Sequence, residues 1–73
     1  MTAVEQAAWI LSVRDAERLD ALKRLDFAIA TGAQGEALAT AARAVTESSA
    51  LYSAAETELR HAEARALIEA VPE

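Results

Sequence analysis

The sequence predicts an all-α protein: an antiparallel helical hairpin, with helices at about residues 3–30 and 36–70, that dimerises into a four-helix bundle. Three observations predict this class. About half of the hydrophobic residues are alanine, the strongest helix former. Both glycines lie in the short stretch Thr31–Gly35, between two long segments without glycine or proline. Each segment carries a coiled-coil spacing of three and four residues. Residues 1–73 are expected to form one domain.

The first helix has a start and a stop signal. Thr2 and Glu5 form a capping-box pattern, in which the Thr2 hydroxyl accepts from the Glu5 backbone N–H and the Glu5 carboxylate accepts from the Thr2 N–H. Gly32 suits the left-handed position just past a helix C-terminus. The first helix is therefore expected at about residues 3–30.

The second helix is expected to begin near Glu36, whose negative charge suits the positive end of the helix dipole. No glycine or proline follows before Pro72. The weak point is residues 46–49, where three hydroxyl side chains can compete for backbone hydrogen bonds. A break near 46–49 is the alternative, and it would give a three-helix arrangement that covers Trp9 within one chain.

Two series of residues predict how the helices pack. In both, large and small side chains alternate over much of the length, which lets antiparallel helices approach closely. The predicted seam of the first helix is Val4, Ala8, Leu11, Asp15, Arg18, Leu22, Leu25 and Ile29. That of the second helix is Leu38, Ala41, Val45, Ser48, Tyr52, Ala55, Leu59, Ala62 and Ala66.

Polar residues of the two seams are expected to meet in one layer. Residues equidistant from the centre of the hinge should lie side by side, which places Asp15 beside Tyr52 and Arg18 beside Ser48 and Ser49. We refer to Asp15, Arg18, Ser48 and Tyr52 as the polar layer. The polar layer either fixes the register of the hairpin or binds a partner, and the spacing of these residues is compatible with both roles.

Several large apolar residues remain outside the seam. They are expected to cluster largely at the open end of the hairpin, and an exposed apolar surface with an aromatic residue is typical of an interface. The predicted partner-binding residues are Trp9, Ile10, Val13, Phe27, Leu67, Ile68 and Val71. The partner is either a second copy of the chain, giving a homodimer, or another protein.

Charge and composition argue against other partners. The net charge is −5 and the seven basic residues are scattered, so neither nucleic acid nor an anionic membrane is expected to bind. The sequence has no run of about 20 apolar residues and no secretion-signal pattern, which favours a cytoplasmic protein. Because the chain has no cysteine, disulfides and thiolate metal sites are excluded.

No pattern in the sequence predicts an enzyme or a cofactor. Glu58 and His61 have the E-x-x-H spacing of di-metal helical bundles, but both lie away from the predicted seam. A solvated charged face explains them better than a metal-dependent bundle enzyme does. The two glycines are too few for a phosphate-binding loop, and no following Lys-Ser or Lys-Thr completes one.

In its layout, an acidic two-helix chain of this length resembles the small hairpin subunits that chaperone needle proteins in type III secretion. Short phage-encoded antiactivators and virion adaptors also use such hairpins. The resemblance covers the whole layout and implies a binding protein. The expected function is a small acidic, non-enzymatic protein-interaction module, an adaptor, chaperone or inhibitor, that acts by helix-helix packing. The alternative is a structural component of a larger assembly such as a virion or secretion apparatus.

Overall fold

The computed structural model describes residues 1–71 and contains two helices, α1 (Ala3–Ala30) and α2 (Glu36–Ala70). A five-residue hinge joins them, and they pack against each other as an antiparallel hairpin. The predicted all-α hairpin and the bounds of both helices are confirmed. The molecule is a rod of 62 × 16 × 13 Å.

Both predicted signals of α1 are confirmed. The Glu5 N–H donates to Thr2 Oγ1 at 3.1 Å, and the Thr2 N–H donates to Glu5 Oε1 at 3.4 Å, which completes the capping box. At the other end, Gly32 has φ +76°. The N–H groups of Gly32 and Ala33 donate to the carbonyls of Ile29 and Ala28, the two bonds of a Schellman motif. The helix ends there because glycine adopts the left-handed conformation at little cost.

The second helix is continuous through residues 46–49, so the alternative three-helix arrangement is wrong. The hydroxyl of Thr46 donates to the Ala42 carbonyl, and that of Ser48 donates to the Ala44 carbonyl at 2.7 Å. These bonds run to the residue four positions earlier and leave the helical backbone ladder in place. The helix therefore accommodates the hydroxyl groups of this stretch, as the main prediction of a continuous second helix requires.

The seam of α2 follows the prediction, and that of α1 is partly corrected. In α2, the predicted seam residues from Leu38 to Ala62 are buried or half-buried, but Ala66 is exposed. In α1, Ala8 is exposed and the side chain of Ile29 is 61% exposed. Ala7 and Ala28, each one position earlier in the chain, are half-buried instead. Ala21 is buried, next to the half-buried seam residue Leu22.

The correction has a steric reason. Val4, Leu11, Arg18 and Leu25 belong to both versions of the seam, so the two versions differ by a small rotation of α1 about its axis. The rotation that is observed turns alanine rather than isoleucine toward α2, and small side chains allow the two backbones to come closer. A spacing rule alone admits both rotations.

The core is thin. Within residues 1–71, the buried apolar residues are all alanines, Ala21, Ala55 and Ala62, with exposed fractions of 5% to 7%. The radius of gyration is 17.1 Å, against about 11 Å for a compact domain of this length. The accessible surface is 5494 Å², against roughly 4,300 Å² for a compact monomer of this mass. The hairpin thus leaves much apolar surface in contact with water.

Candidate interaction surface

Three of the four polar-layer residues come together around one guanidinium group. Arg18 donates through Nη2 to Asp15 Oδ1 at 2.6 Å, within α1. The Arg18 guanidinium carbon lies 4.7 Å from the centroid of the Tyr52 ring, on α2. This is cation-π geometry, and it makes Arg18 the residue that bridges the helices at this level.

Ser48 takes a different role from the one that the register suggested. Its hydroxyl donates to the Ala44 carbonyl in its own helix. Arg18 was expected beside Ser48 and Ser49, and instead its guanidinium reaches Tyr52, the next seam position of α2. The length of the arginine side chain explains the difference, because its charged end lies well away from its own Cα atom.

The packing around Arg18 leaves one polar atom without a partner. Arg18 Nε is buried and makes no hydrogen bond within the described part of the chain. The rest of the side chain is not sealed, since 30% of it remains exposed to solvent. The polar layer therefore lies at the rim of the helix contact and not in a closed core.

The predicted partner-binding residues of α1 lie mainly on its outer side. Trp9 is 61% exposed and Phe27 is 70% exposed, whereas Ile10 is only just exposed and Val13 is half-buried. We call these four residues, Trp9, Ile10, Val13 and Phe27, the outer patch. Large aromatic side chains are costly to leave in water and are the usual centre of protein interfaces.

The remaining predicted residues, Leu67, Ile68 and Val71, lie at the end of α2 and are exposed. Burial in α2 stops at Ala62, and in α1 it begins only at Val4. If those two positions are level, Trp9 and Leu67 are separated by roughly 15 Å along the rod, at 1.5 Å per residue. The end of α2 therefore forms a surface separate from the outer patch.

Sequence reasoning missed two exposed apolar residues. Leu19 is exposed but is not among the predicted partner-binding residues. Ile29 is also exposed, whereas the spacing predicts it in the seam. Leu51, which is not part of the predicted seam, is also exposed. The regular alanine spacing at Ala7, Ala21 and Ala28 was the signal that could have assigned Ile29 correctly.

Glu58 and His61 are both exposed. Residues 1–71 contain no group of three or more His, Asp or Glu side chains placed to hold a metal ion. They also enclose no pocket.

Neither α1 nor α2 has a stretch that is both long and apolar enough to cross a bilayer. Both are rich in charged residues, several of them in ion pairs within one helix: Arg14–Glu17, Asp15–Arg18, Asp20–Arg24, Glu36–Arg43 and Glu56–Arg60.

Comparison with known proteins gave no match among protein-family models, curated proteins or solved structures.

Proposed function

We propose that the chain is a small non-enzymatic protein-interaction module that acts by helix-to-helix packing through its outer patch. The observation that carries this proposal is the exposure of Trp9 and Phe27 on a hairpin whose buried residues are alanines. Burying an aromatic side chain at an interface is worth roughly 1.5–3 kcal/mol, which the hairpin by itself does not gain for these two residues.

The expected mode of action is that of an adaptor, chaperone or inhibitor. Such a module adds its exposed helix face to a helix of its partner. Affinity would come from burial of the outer patch. The polar layer would keep the two helices of the hairpin in register, so that the patch stays on one rigid element. The simplest closed form is a two-fold dimer of hairpins, a four-helix assembly with the two α1 helices side by side at its centre, since two-fold dimers are the commonest oligomers.

The intrinsic fluorescence of Trp9, the only tryptophan, tests the proposal directly. Because Trp9 is largely exposed in the single hairpin, its emission should shift to shorter wavelength when a partner covers it, and light scattering should show the matching increase in mass. The variant Trp9→Ala should bind at least about tenfold more weakly, since it removes an aromatic anchor. Leu19→Ala is the matched control, because Leu19 is exposed elsewhere on α1.

Two results would count against the proposal. One is a chain that stays monomeric with a solvent-exposed Trp9 and copurifies with no protein from its host. The other is a complex in which Trp9 emission is unchanged and Trp9→Ala binds as tightly as the original chain.

The alternative function is a structural component of a larger assembly. It is favoured by the rod shape and by exposed apolar residues outside the outer patch, at Leu19, Ile29 and the end of α2. Two different contact surfaces on one subunit generate rings or filaments. Sedimentation of the purified chain at rising concentration separates the two functions, because an assembly subunit forms large ordered species and an interaction module stays small.

A further inference from the structure

We infer that the outer patch binds a second copy of this chain, with the two α1 helices antiparallel and Asp20 opposite Lys23 of the partner subunit. This inference rests on the proposed function and names its partner. It makes the α1 surface self-complementary, as a two-fold interface requires.

The first observation is a second heptad series on α1. Residues on its outer side follow the same alternation of four and three as the seam that faces α2. They are Trp9, Val13, Ala16, Asp20, Lys23, Phe27 and Ala30. All except the half-buried Val13 are exposed. This spacing keeps them on one line along the helix, so a second helix can contact them over most of the length of α1.

The second observation is that the charged residues of this series complement each other when the two helices run in opposite directions. In the antiparallel register in which Asp20 faces the partner's Lys23, symmetry repeats that ion pair on the other side of the two-fold axis. The same register places Trp9 beside the partner's Gln34, in the hinge. It places Phe27 over the partner's Ala16 and Val13 over the partner's Ala30. Large side chains thus lie over small ones, the arrangement already present between α1 and α2.

A parallel arrangement fails on charge. Each residue would face its own copy, so Asp20 would meet the partner's Asp20 and Lys23 would meet the partner's Lys23. Like charges across an interface oppose association, and complementary charges set orientation and register more than they set raw affinity. The aspartate and lysine therefore select the antiparallel arrangement, while Phe27 and its neighbours supply the contact area.

Both charged residues are available in the single hairpin. Asp20 pairs with Arg24 at 2.9 Å, but their side chains are 58% and 75% exposed, so that pair is solvated and weak. Lys23 is in none of the ion pairs within residues 1–71. Because Arg24 lies one turn from Asp20 on the same helix, it can stay near the carboxylate when the partner's lysine approaches.

The elongated hairpin exposes more surface than a compact monomer of the same mass would. The accessible surface exceeds that of a compact monomer of equal mass by roughly 1,200 Å². A standard interface buries about 800 Å² on each partner. Because this excess is spread over the whole rod, an interface between two α1 helices would cover only part of it.

Charge reversal tests orientation and register together. We expect sedimentation equilibrium to show a dimer for the original chain. Asp20→Lys and Lys23→Asp should each weaken it at least about tenfold, because each turns two attractive pairs into two repulsive ones. The double variant Asp20→Lys/Lys23→Asp restores both attractive pairs, with the positive and negative charges exchanged between the two positions. Its dissociation constant should return to within about threefold of the original.

The control variant is Asp26→Lys, which makes the same change of net charge on another side of α1. Asp26 is three residues from Lys23, so this variant also reproduces the local repulsion within the helix. We expect it to change the dissociation constant less than about threefold. Circular dichroism at one concentration shows whether every variant keeps the helical content of the original chain.

Three results would overturn the inference. If the chain is a monomer at all concentrations, the outer patch does not bind a second copy. The proposed function would still stand if the original chain bound a different protein and the Trp9→Ala variant did not. A dimer that neither single reversal weakens is parallel or uses another surface. A double variant that stays as weak as the single variants rules out the Asp20–Lys23 pairing.

Discussion

Arg18 on α1 and Tyr52 on α2 form a cation-π contact, with 4.7 Å between the guanidinium carbon and the ring centroid. Within residues 1–71, the side-chain hydrogen bonds and ion pairs run within one helix or its caps, so this contact is the polar link that crosses from helix to helix. Apolar packing holds the hairpin closed. The contact of Arg18 with Tyr52 adds an interaction that forms only in the register that brings these two residues together.

The contact between Arg18 and Tyr52 should be measurable as a coupling free energy. We expect a double-mutant cycle with Arg18→Met and Tyr52→Leu to give about 0.5–2 kcal/mol, the range for cation-π pairs between exposed and desolvated sites. Urea unfolding at one fixed protein concentration provides the four free energies. Tyr52→Phe is the control, since it keeps the ring and should retain most of the coupling. A coupling indistinguishable from zero would show that the contact does not stabilise the hairpin.

Ser48 should matter little to stability, although it belongs to the predicted polar layer. Its hydroxyl bonds only the Ala44 carbonyl, which is already part of the helix. We expect Ser48→Ala to change the free energy of unfolding by less than about 0.5 kcal/mol, because alanine has the higher helix propensity and no interhelical bond is lost. A loss above about 1.5 kcal/mol in thermal or urea unfolding would mean that Ser48 has a partner on α1.

The alanine seam predicts a sharp difference between two neighbouring residues of α2. Ala55 is buried and Ala54 is exposed. Ala55→Leu should destabilise the hairpin by about 1–3 kcal/mol, because the extra atoms force the helices apart. Ala54→Leu has the same chemistry and should stay within about 0.5 kcal/mol of the original chain. Equal effects in urea unfolding would show that the helices are not closely packed at this level.

The two hinge glycines should differ in their tolerance of a side chain. A Cβ atom at either position would meet open space, so the cost of substitution is conformational. Gly32, at φ +76°, is in the left-handed helical region, and Gly32→Ala should cost about 1–2 kcal/mol. Gly35, at φ +61° and ψ −132°, has a backbone conformation that is open essentially to glycine alone. Gly35→Ala should therefore lower the free energy of unfolding by up to about 3 kcal/mol.

Gln34→Ala is the control for the hinge, since Gln34 is exposed and has no positive φ. Its effect on the free energy of unfolding should be within about 0.5 kcal/mol. A tolerant Gly35→Ala variant would show that the hinge takes another conformation in solution.

The capping box at the start of α1 makes a local prediction. Thr2→Ala removes the side-chain acceptor of the Glu5 N–H and should cost about 1 kcal/mol. The effect should concentrate in the first turn, where hydrogen exchange of the Glu5 and Gln6 amides becomes faster. The control is Thr57→Ala, in which the lost hydroxyl bonds a carbonyl within α2. Unchanged exchange at Glu5 would show that the box does not order the first turn.

Local signals in the sequence were enough to predict the secondary structure. Thr2, Glu5 and Gly32 act on backbone groups within a few residues, so their effects depend little on the rest of the chain. The same locality explains why the alternative, a break at residues 46–49, does not occur. Hydroxyl groups favour breaks in general, but a long alanine-rich helix accommodates them by bonding to its own carbonyls.

The candidate surface was predictable in part. Trp9 and Phe27 fall on the side of α1 away from any seam, and both are exposed. Ile29 was misplaced because spacings of three and four fit two rotations of the helix equally well. The choice between the two rotations depends on which residues of α2 face α1, so it is a property of the two helices together.

The sequence by itself determined where the helices begin and end, because capping, glycine conformation and helix propensity are local properties. Only the tertiary structure decided which side of α1 turns toward α2 and which residue bridges the helices. Close approach of two backbones favours alanine over isoleucine in the seam, and the reach of a long side chain brings Arg18 to Tyr52. Both outcomes depend on distances between segments far apart in the chain, which a linear spacing rule does not contain.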